Sequence, residues 1–210
     1  MNEYIAGLNT LPTNRVIKSM IKYAKNNKIP IVNDEGLTMI LLLVDIVKPK
    51  RFLEIGTAIG YCVINIALRN PVVKIDTIER NPALCERAVD YIAAANLSER
   101  VNVHCADALE LDPDLLAADY DMIFIDAAKA QYINYFEKYK EKLAPGGLIL
   151  TDNLLFHGLV GKSKTIASRD LKHLTEKIDK FNRWLSRNKE FQTRFFAIGD
   201  GFAVSRRIEK

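Results

Sequence analysis

Asp126, Asp152 and Asn153 are the residues of this 210-residue chain best suited to chemistry. Each follows directly on a short apolar run, Phe124-Ile125-Asp126 in one case and Leu150-Thr151-Asp152-Asn153 in the other. If those runs are neighbouring strands of one sheet, two carboxylates and an amide oxygen meet at one edge. Such an oxygen-only set suits Mg²⁺ or a similar divalent cation, with positions left for water or substrate. Lys129, three residues past Asp126, brings an amine to the same place, where it can accept a proton or stabilise an oxyanion. As mere scaffold, the set would crowd two acids together with no compensation.

A second group lies upstream, in Glu54-Ile55-Gly56-Thr57-Ala58-Ile59-Gly60-Tyr61. Gly56 and Gly60 allow a sharp turn that brings a ligand close to backbone N–H groups at a helix start. Ala58 occupies the middle glycine position of the dinucleotide fingerprint. A pyrophosphate is therefore less welcome than a smaller, cationic cofactor such as S-adenosylmethionine, and a dehydrogenase is disfavoured. Glu79, about 20 residues beyond the turn, is placed to bind a ribose diol. Asp107, in Ala106-Asp107-Ala108, is placed to meet an adenine amino group. Helix capping is the alternative for both acids.

The elements that must position these groups can be read in order. Two helices come first, over about 13–26 and from Asn33 or Asp34 to Val47, where Pro49 ends the second. Short apolar runs then alternate with helical stretches: strands at Arg51–Ile55, Val73–Ile78, Val101–Cys105, Asp121–Ile125 and Gly147–Thr151, and helices at about 61–68, 82–95 and 130–143. Strands rich in Ile, Val, Leu and Phe, separated by helices, indicate a parallel sheet covered on both faces. A long helix over 169–187 precedes two strands, Phe191–Ile198 and Phe202–Ile208, joined by Gly199-Asp200-Gly201. The expected architecture is one α/β domain, with a helical extension at 1–48 and a Rossmann-like core at 49–210. Its seven-stranded, mostly parallel sheet has an antiparallel last strand, as in class I methyltransferases. Ligands of such sheets bind beyond the carboxyl ends of the strands, where every residue named above falls.

Composition narrows the classes further. An apolar share of 49% with 27% charged residues excludes a disordered chain. The longest apolar stretch, Met39 to Val44, cannot span a bilayer, and Met1-Asn2-Glu3 lacks the layout of a secretory signal. Cys62, Cys85 and Cys105 form an odd, widely spaced set without a CxxC pair. No disulfide framework or zinc site is expected, and the three read as buried thiols in a cytoplasmic protein. The net charge of +4 is unevenly spread, because residues 161–210 carry 13 Lys and Arg against 6 Asp and Glu. The helix near the start is also basic, with Arg15, Lys18, Lys22 and Lys25 on one side. Such asymmetry fits a polyanionic partner or the solvated face of a helix.

From Ile29-Pro30-Ile31-Val32 to the final strand, the sequence resembles the metal-dependent O-methyltransferases that include catechol and caffeoyl-CoA O-methyltransferases. The resemblance implies Asp126, Asp152 and Asn153 as metal ligands and Lys129 as the catalytic lysine. It implies a cofactor pocket lined by Val32, Glu54, Gly56, Cys62, Glu79, Asp107, Ala108 and Asp126. Two positions depart from the pattern: Ala106 stands where many members have glycine, and Cys62 where many have serine. The chemistry implied is attack of a substrate oxygen on the sulfonium methyl, the hydroxyl being activated by a divalent ion that also holds a vicinal oxygen. The stretches Asp126-Ala127-Ala128-Lys129-Ala130-Gln131-Tyr132 and Thr151–Gly158 are similar to the bacterial branch that converts 5-hydroxyuridine at the tRNA wobble position to 5-methoxyuridine. A tRNA anticodon loop is the expected partner and a small catechol-like or caffeoyl-type acceptor the alternative, with a homodimeric assembly and no membrane association. A silent RNA-binding module on the same scaffold is a third reading. It leaves the set of Asp126, Asp152, Asn153 and Lys129 without a purpose.

Overall fold

The computed structural model describes residues 3–162 and 166–208. Three helices come first: α1 (Glu3–Leu8), α2 (Arg15–Asn27) and α3 (Asp34–Val47). Asn14 and Asn33 cap the last two, their side-chain oxygens accepting from Ile17 N and Gly36 N at 2.9 Å. Lys28 and Lys48 end them in the left-handed conformation. On α2, Ile17, Met20 and Ala24 are buried, whereas Arg15, Lys18, Lys22 and Lys25 face solvent. The short α1 was not foreseen from sequence.

The core then alternates β1 (Arg51–Ile55), α4 (Tyr61–Arg69), β2 (Lys74–Glu79), α5 (Pro82–Ala94), β3 (Val101–Cys105), β4 (Tyr120–Ile125), α6 (Tyr132–Tyr139), β5 (Leu143–Thr151), α7 (Arg169–Ser186), β6 (Phe191–Phe196) and β7 (Phe202–Arg207). The helix expected over 130–143 is three pieces, because 3₁₀ turns at Lys129–Gln131 and Lys140–Lys142 flank α6. Strand β5 starts four residues earlier than its apolar run, with a register irregularity against β4 between Tyr120 and Met122.

The strand order is β3-β2-β1-β4-β5-β7-β6, and β7 is antiparallel to both its neighbours. The direction of progression reverses between β1 and β4, which pair in parallel. A crevice opens at such a reversal. One apolar layer, including Leu37, Val63 and Ile66, packs on the face covered by α2–α5. The other, with Phe136, Phe181 and Leu185, lies under α6 and α7. Both faces of the central strands are therefore buried, as their unbroken apolar runs require.

One expectation fails. Cys85 on α5 and Cys105 at the end of β3 form a disulfide, with Cα atoms 5.8 Å apart, and only Cys62 is a free, buried thiol. Spacing hid this, because the two cysteines are 20 residues apart and meet only when α5 packs on β3. Closing a loop of that length stabilises a fold by about 3 kcal/mol in the chain-entropy account. Reduction, or Cys105→Ser, should lower the unfolding free energy by about that amount. Urea titration with and without a dithiol reductant checks it, and coincident curves would exclude the bridge.

Candidate active site

A cavity of about 290 Å³ opens at the strand reversal, between the carboxyl ends of β1, β2, β4 and β5. Of the residues singled out from sequence, Val32, Glu54, Gly56, Cys62, Glu79, Ala108, Asp126, Lys129, Asp152 and Asn153 all line it. Asp107 does not: its Oδ1 accepts from Leu109 N at 2.8 Å, while Ala106 and Ala108 on either side face the cavity.

The turn after β1 is built on contact with β4. Gly56 has φ +103°, and a Cβ there would overlap the carbonyl oxygen of Asp126. Asp126 N donates back to Ile55 O at 2.9 Å. The glycine turn and the proposed metal strand are thus joined backbone to backbone. Ala58, at φ +47°, donates its N–H to Glu79 Oε2 at 2.9 Å, and Asn81 N donates to Oε1 at 2.9 Å. Glu79 is fixed by both oxygens at the pocket edge, and each retains a lone pair for a ligand hydroxyl.

The floor is acidic. Glu54 is 1% exposed and accepts from Thr77 Oγ1 at 2.6 Å, and Thr77 in turn meets Thr57 Oγ1. Burial pushes Glu54 up to about 8; the hydrogen bonds of Thr77 and Cys62 oppose this and the charges of Asp126 and Glu79 add to it. Burial holds the Cys62 thiol well above its usual range, so it stays a neutral donor beside Glu54. It can therefore serve where a serine hydroxyl is common.

Asp126 and Asp152 lie together at the ends of β4 and β5. Burial and then the charge of Asp152 raise Asp126 to about 7, against the pull of Lys129. Burial raises Asp152 to about 6. Asn153, at φ +64°, donates from Nδ2 to Asp126 Oδ1 at 3.1 Å and from its backbone N–H to Asp152 Oδ1 at 2.7 Å. Lys129 Nζ stands 4.0 Å from Asp126 Oδ1, with 20% of its side chain exposed. Among the described residues no three His, Cys, Asp or Glu side chains form a cation-holding cluster. A cation here would depend on the amide oxygen of Asn153. The residues fit one: the carboxylates of Asp152, buried, and Asp126, partly buried, converge there with the side-chain amide of Asn153, which can turn its oxygen to where its nitrogen now points.

Supporting contacts escaped the sequence. Tyr132, 1% exposed, donates to Asp152 O at 3.0 Å. Gly36, in the first turn of α3, comes so close that a Cβ would lie 3.3 Å from Asp152 Oδ2. The β6–β7 turn fixes the chain beyond Asn153, with Leu155 N donating to Asp200 O at 2.7 Å and Leu154 N to Gly201 O at 3.0 Å. Tyr61, Arg80 and Tyr135 also line the cavity. None has a spacing signal that sequence alone exposes.

With the geometry described, comparison with known proteins becomes informative. A family model described as O-methyltransferase matches residues 12–208. The chain belongs to the O-methyltransferase family. A flavonoid 3',5'-methyltransferase of Vitis vinifera is 29% identical over 89% of this chain and 81% of its own. A caffeoyl-CoA O-methyltransferase of Populus kitakamiensis is 28% identical over 89% and 82%. A Staphylococcus aureus crystal structure, provisionally assigned to caffeoyl-CoA O-methyltransferases, is 36% identical with TM-score 0.88 over 92% and 93% of the two chains. A Bacillus cereus O-methyltransferase solved with S-adenosylhomocysteine shares the fold at 24% identity, with TM-score 0.84 over 99% and 96%. The seven-stranded sheet is that of class I methyltransferases.

Two outcomes follow for the site. Gly56→Ala should abolish S-adenosylmethionine binding by calorimetry, because the new methyl displaces β1 from β4. The folded state raises Glu54 from 4.5 to about 8, so folding takes up a proton in that interval. Glu54 therefore makes stability greatest below pH 4.5 and erodes it as pH rises towards 8. Glu54→Gln should flatten the fall in melting temperature of the ligand-free protein between pH 5 and 8. An unchanged slope would place the titration elsewhere.

Proposed function

We propose that this methyltransferase transfers the methyl group to a hydroxyl flanked by a vicinal oxygen, with a divalent cation held by Asp126, Asp152 and Asn153. The convergence of those residues and Lys129 on the cofactor cavity carries the reading. A bound cation supplies Lewis acidity, lowering the pKa of the acceptor hydroxyl and fixing the adjacent oxygen. The chain's own residues do the rest. Glu79 orients the cofactor through its ribose, and the acidic floor favours a cationic sulfonium over its neutral product. Lys129, at the mouth, receives the hydroxyl proton or faces the developing oxyanion. Tyr132 and the β6–β7 turn hold the chain around Asp152 and Asn153, so that the acceptor oxygen and methyl carbon meet in line.

For the acceptor we favour 5-hydroxyuridine in a tRNA anticodon loop, whose 5-hydroxyl lies beside a carbonyl. Arg15, Lys18, Lys22 and Lys25 are all exposed on α2, ready for phosphate contacts. Lys164, another basic residue of interest, lies outside the described residues. A flipped base from a single-stranded loop costs little to extrude. The printed names of the plant relatives favour a second reading, in which the acceptor is a small phenolic with adjacent oxygens.

Labelled methyl transfer to hydroxyuridine-containing tRNA and to a catechol panel separates the two. Excess EDTA should abolish turnover and Mg²⁺ restore it. Asp152→Ala should lose activity by at least a hundredfold while still binding S-adenosylmethionine, and full turnover in EDTA would exclude the metal. Lys129→Ala should lower kcat by about 10²–10⁴-fold, with cofactor affinity nearly unchanged.

A further inference from the structure

Beside the cofactor cavity lies a second recess, of about 270 Å³, between the 3₁₀ turn at 129–131, the start of α6 and one face of α7. Lys129, Lys177 and Lys180 line it, together with Gln131 and Asn134, and no Asp or Glu does. Lys129 lines both recesses, so the second one adjoins the proposed chemistry. Its floor is rigid, since Tyr132 and Phe181 are 1% exposed and pack edge to face at 5.3 Å.

The polar groups are arranged for an anion. Lys177 and Lys180 are exposed, and among the described residues neither has a carboxylate within 4.0 Å. Neighbouring lysines are committed: Lys140 pairs with Glu137 and Glu190, and Lys138 donates to the carbonyls of Leu109 and Leu111. On α7 the nearby Asp179 is taken by Arg183 at 2.8 Å. Asn134 Nδ2 donates to Gln131 Oε1 at 2.6 Å, which leaves Gln131 Nε2 as a donor. Two ammonium groups without an acid partner, an amide donor, and Lys129, which the recess shares with Asp126 at 4.0 Å, suit a phosphate.

We infer that this recess binds a backbone phosphate of an RNA acceptor, next to the nucleotide whose base enters the active site. The inference rests on the RNA reading above and names where that acceptor is held. A phosphate adjoining an extruded base lies within one nucleotide of it, and Lys129 lines both the recess and the cavity. The exposed basic residues of α2 form a separate patch, on the other face of the sheet from α6 and α7, and two separated basic patches fit an extended polyanion better than a single charged group.

The test uses Lys177→Glu/Lys180→Glu in the full chain, with Lys48→Glu/Lys50→Glu, before β1 and at the amino-terminal end of the parallel strands, as the charge-matched control. The acceptor is an anticodon stem–loop carrying 5-hydroxyuridine; a uridine-containing copy serves for binding by fluorescence anisotropy. The recess variant should raise the KM for the stem–loop about tenfold or more, with kcat nearly unchanged. It should also flatten the log–log salt dependence of binding by about 0.7 per phosphate lost. S-adenosylmethionine affinity should match that of the unmodified protein, which excludes misfolding. Unchanged RNA binding and salt slope, or an equal loss in the control, would overturn the inference. So would a KM rise confined to caffeoyl-CoA, because the recess would then serve a nucleotide thioester. If the unmodified protein binds the stem–loop through these lysines but never methylates it, the recess stands and the hydroxyuridine reading falls. If it does not bind the stem–loop at all, both fall.

Discussion

The site depends on how closely the chain leaving β1 approaches the chain leaving β4. At Gly56 there is no room for a side chain, because the carbonyl of Asp126 occupies the space where a Cβ would stand. The cofactor turn and the strand end bearing Asp126 are therefore one rigid unit, closed by the hydrogen bond from Asp126 N to Ile55 O. Parallel pairing of β1 and β4 makes this contact possible, and the reversal of strand order at that pair opens the crevice around it. A larger residue at 56 would alter the position of the methyl donor relative to the acceptor.

Electrostatics follow from the same crowding. Glu54, Glu79, Asp126 and Asp152 all face one cavity, with Lys129 and Arg80 as the basic residues in its lining. Burial raises Glu54, Asp126 and Asp152, and a cationic ligand in the pocket would favour their ionised forms. An acidic cavity of this kind favours a cationic ligand over an uncharged one of similar shape.

Much of this was legible because parallel strands announce themselves. The runs Arg51–Ile55 and Val101–Cys105 have the same bounds in sequence and structure; the first is buried on both faces beyond Arg51, whereas the second is an edge strand with Asn102 and Cys105 exposed. The site residues were legible because the architecture sends functional groups to strand ends. What spacing could not convey is contact between distant segments. The Cys85–Cys105 bridge, the Tyr132 hydroxyl on Asp152 O and the approach of Gly36 to Asp152 each need helix-on-strand or helix-on-loop packing before they exist. Asp107 shows the converse: its position suggested a ligand, yet its Oδ1 is taken by Leu109 N in a local turn, an ordinary competitor for any aspartate. The helix beginning near 130 was overextended because its apolar periodicity continues through a 3₁₀ turn at Lys140–Lys142 into β5.

The insertion of β7 between β5 and β6 governs when the protein can become active during its own synthesis. Strand β5 delivers Asp152 and Asn153, but one side of it stays open until β7 arrives, and Leu154 N and Leu155 N donate to Gly201 O and Asp200 O in the turn just before it. A ribosome that has already released the glycine turn, the acidic floor and both proposed ligand segments has therefore made the parts of an active site without its frame. Folding of the donor side can begin early, and closure of the acceptor side waits for the last strand. The unpaired edge of β5 is exposed for that interval, which makes it the place where a stalled or shortened chain would first recruit a wrong partner.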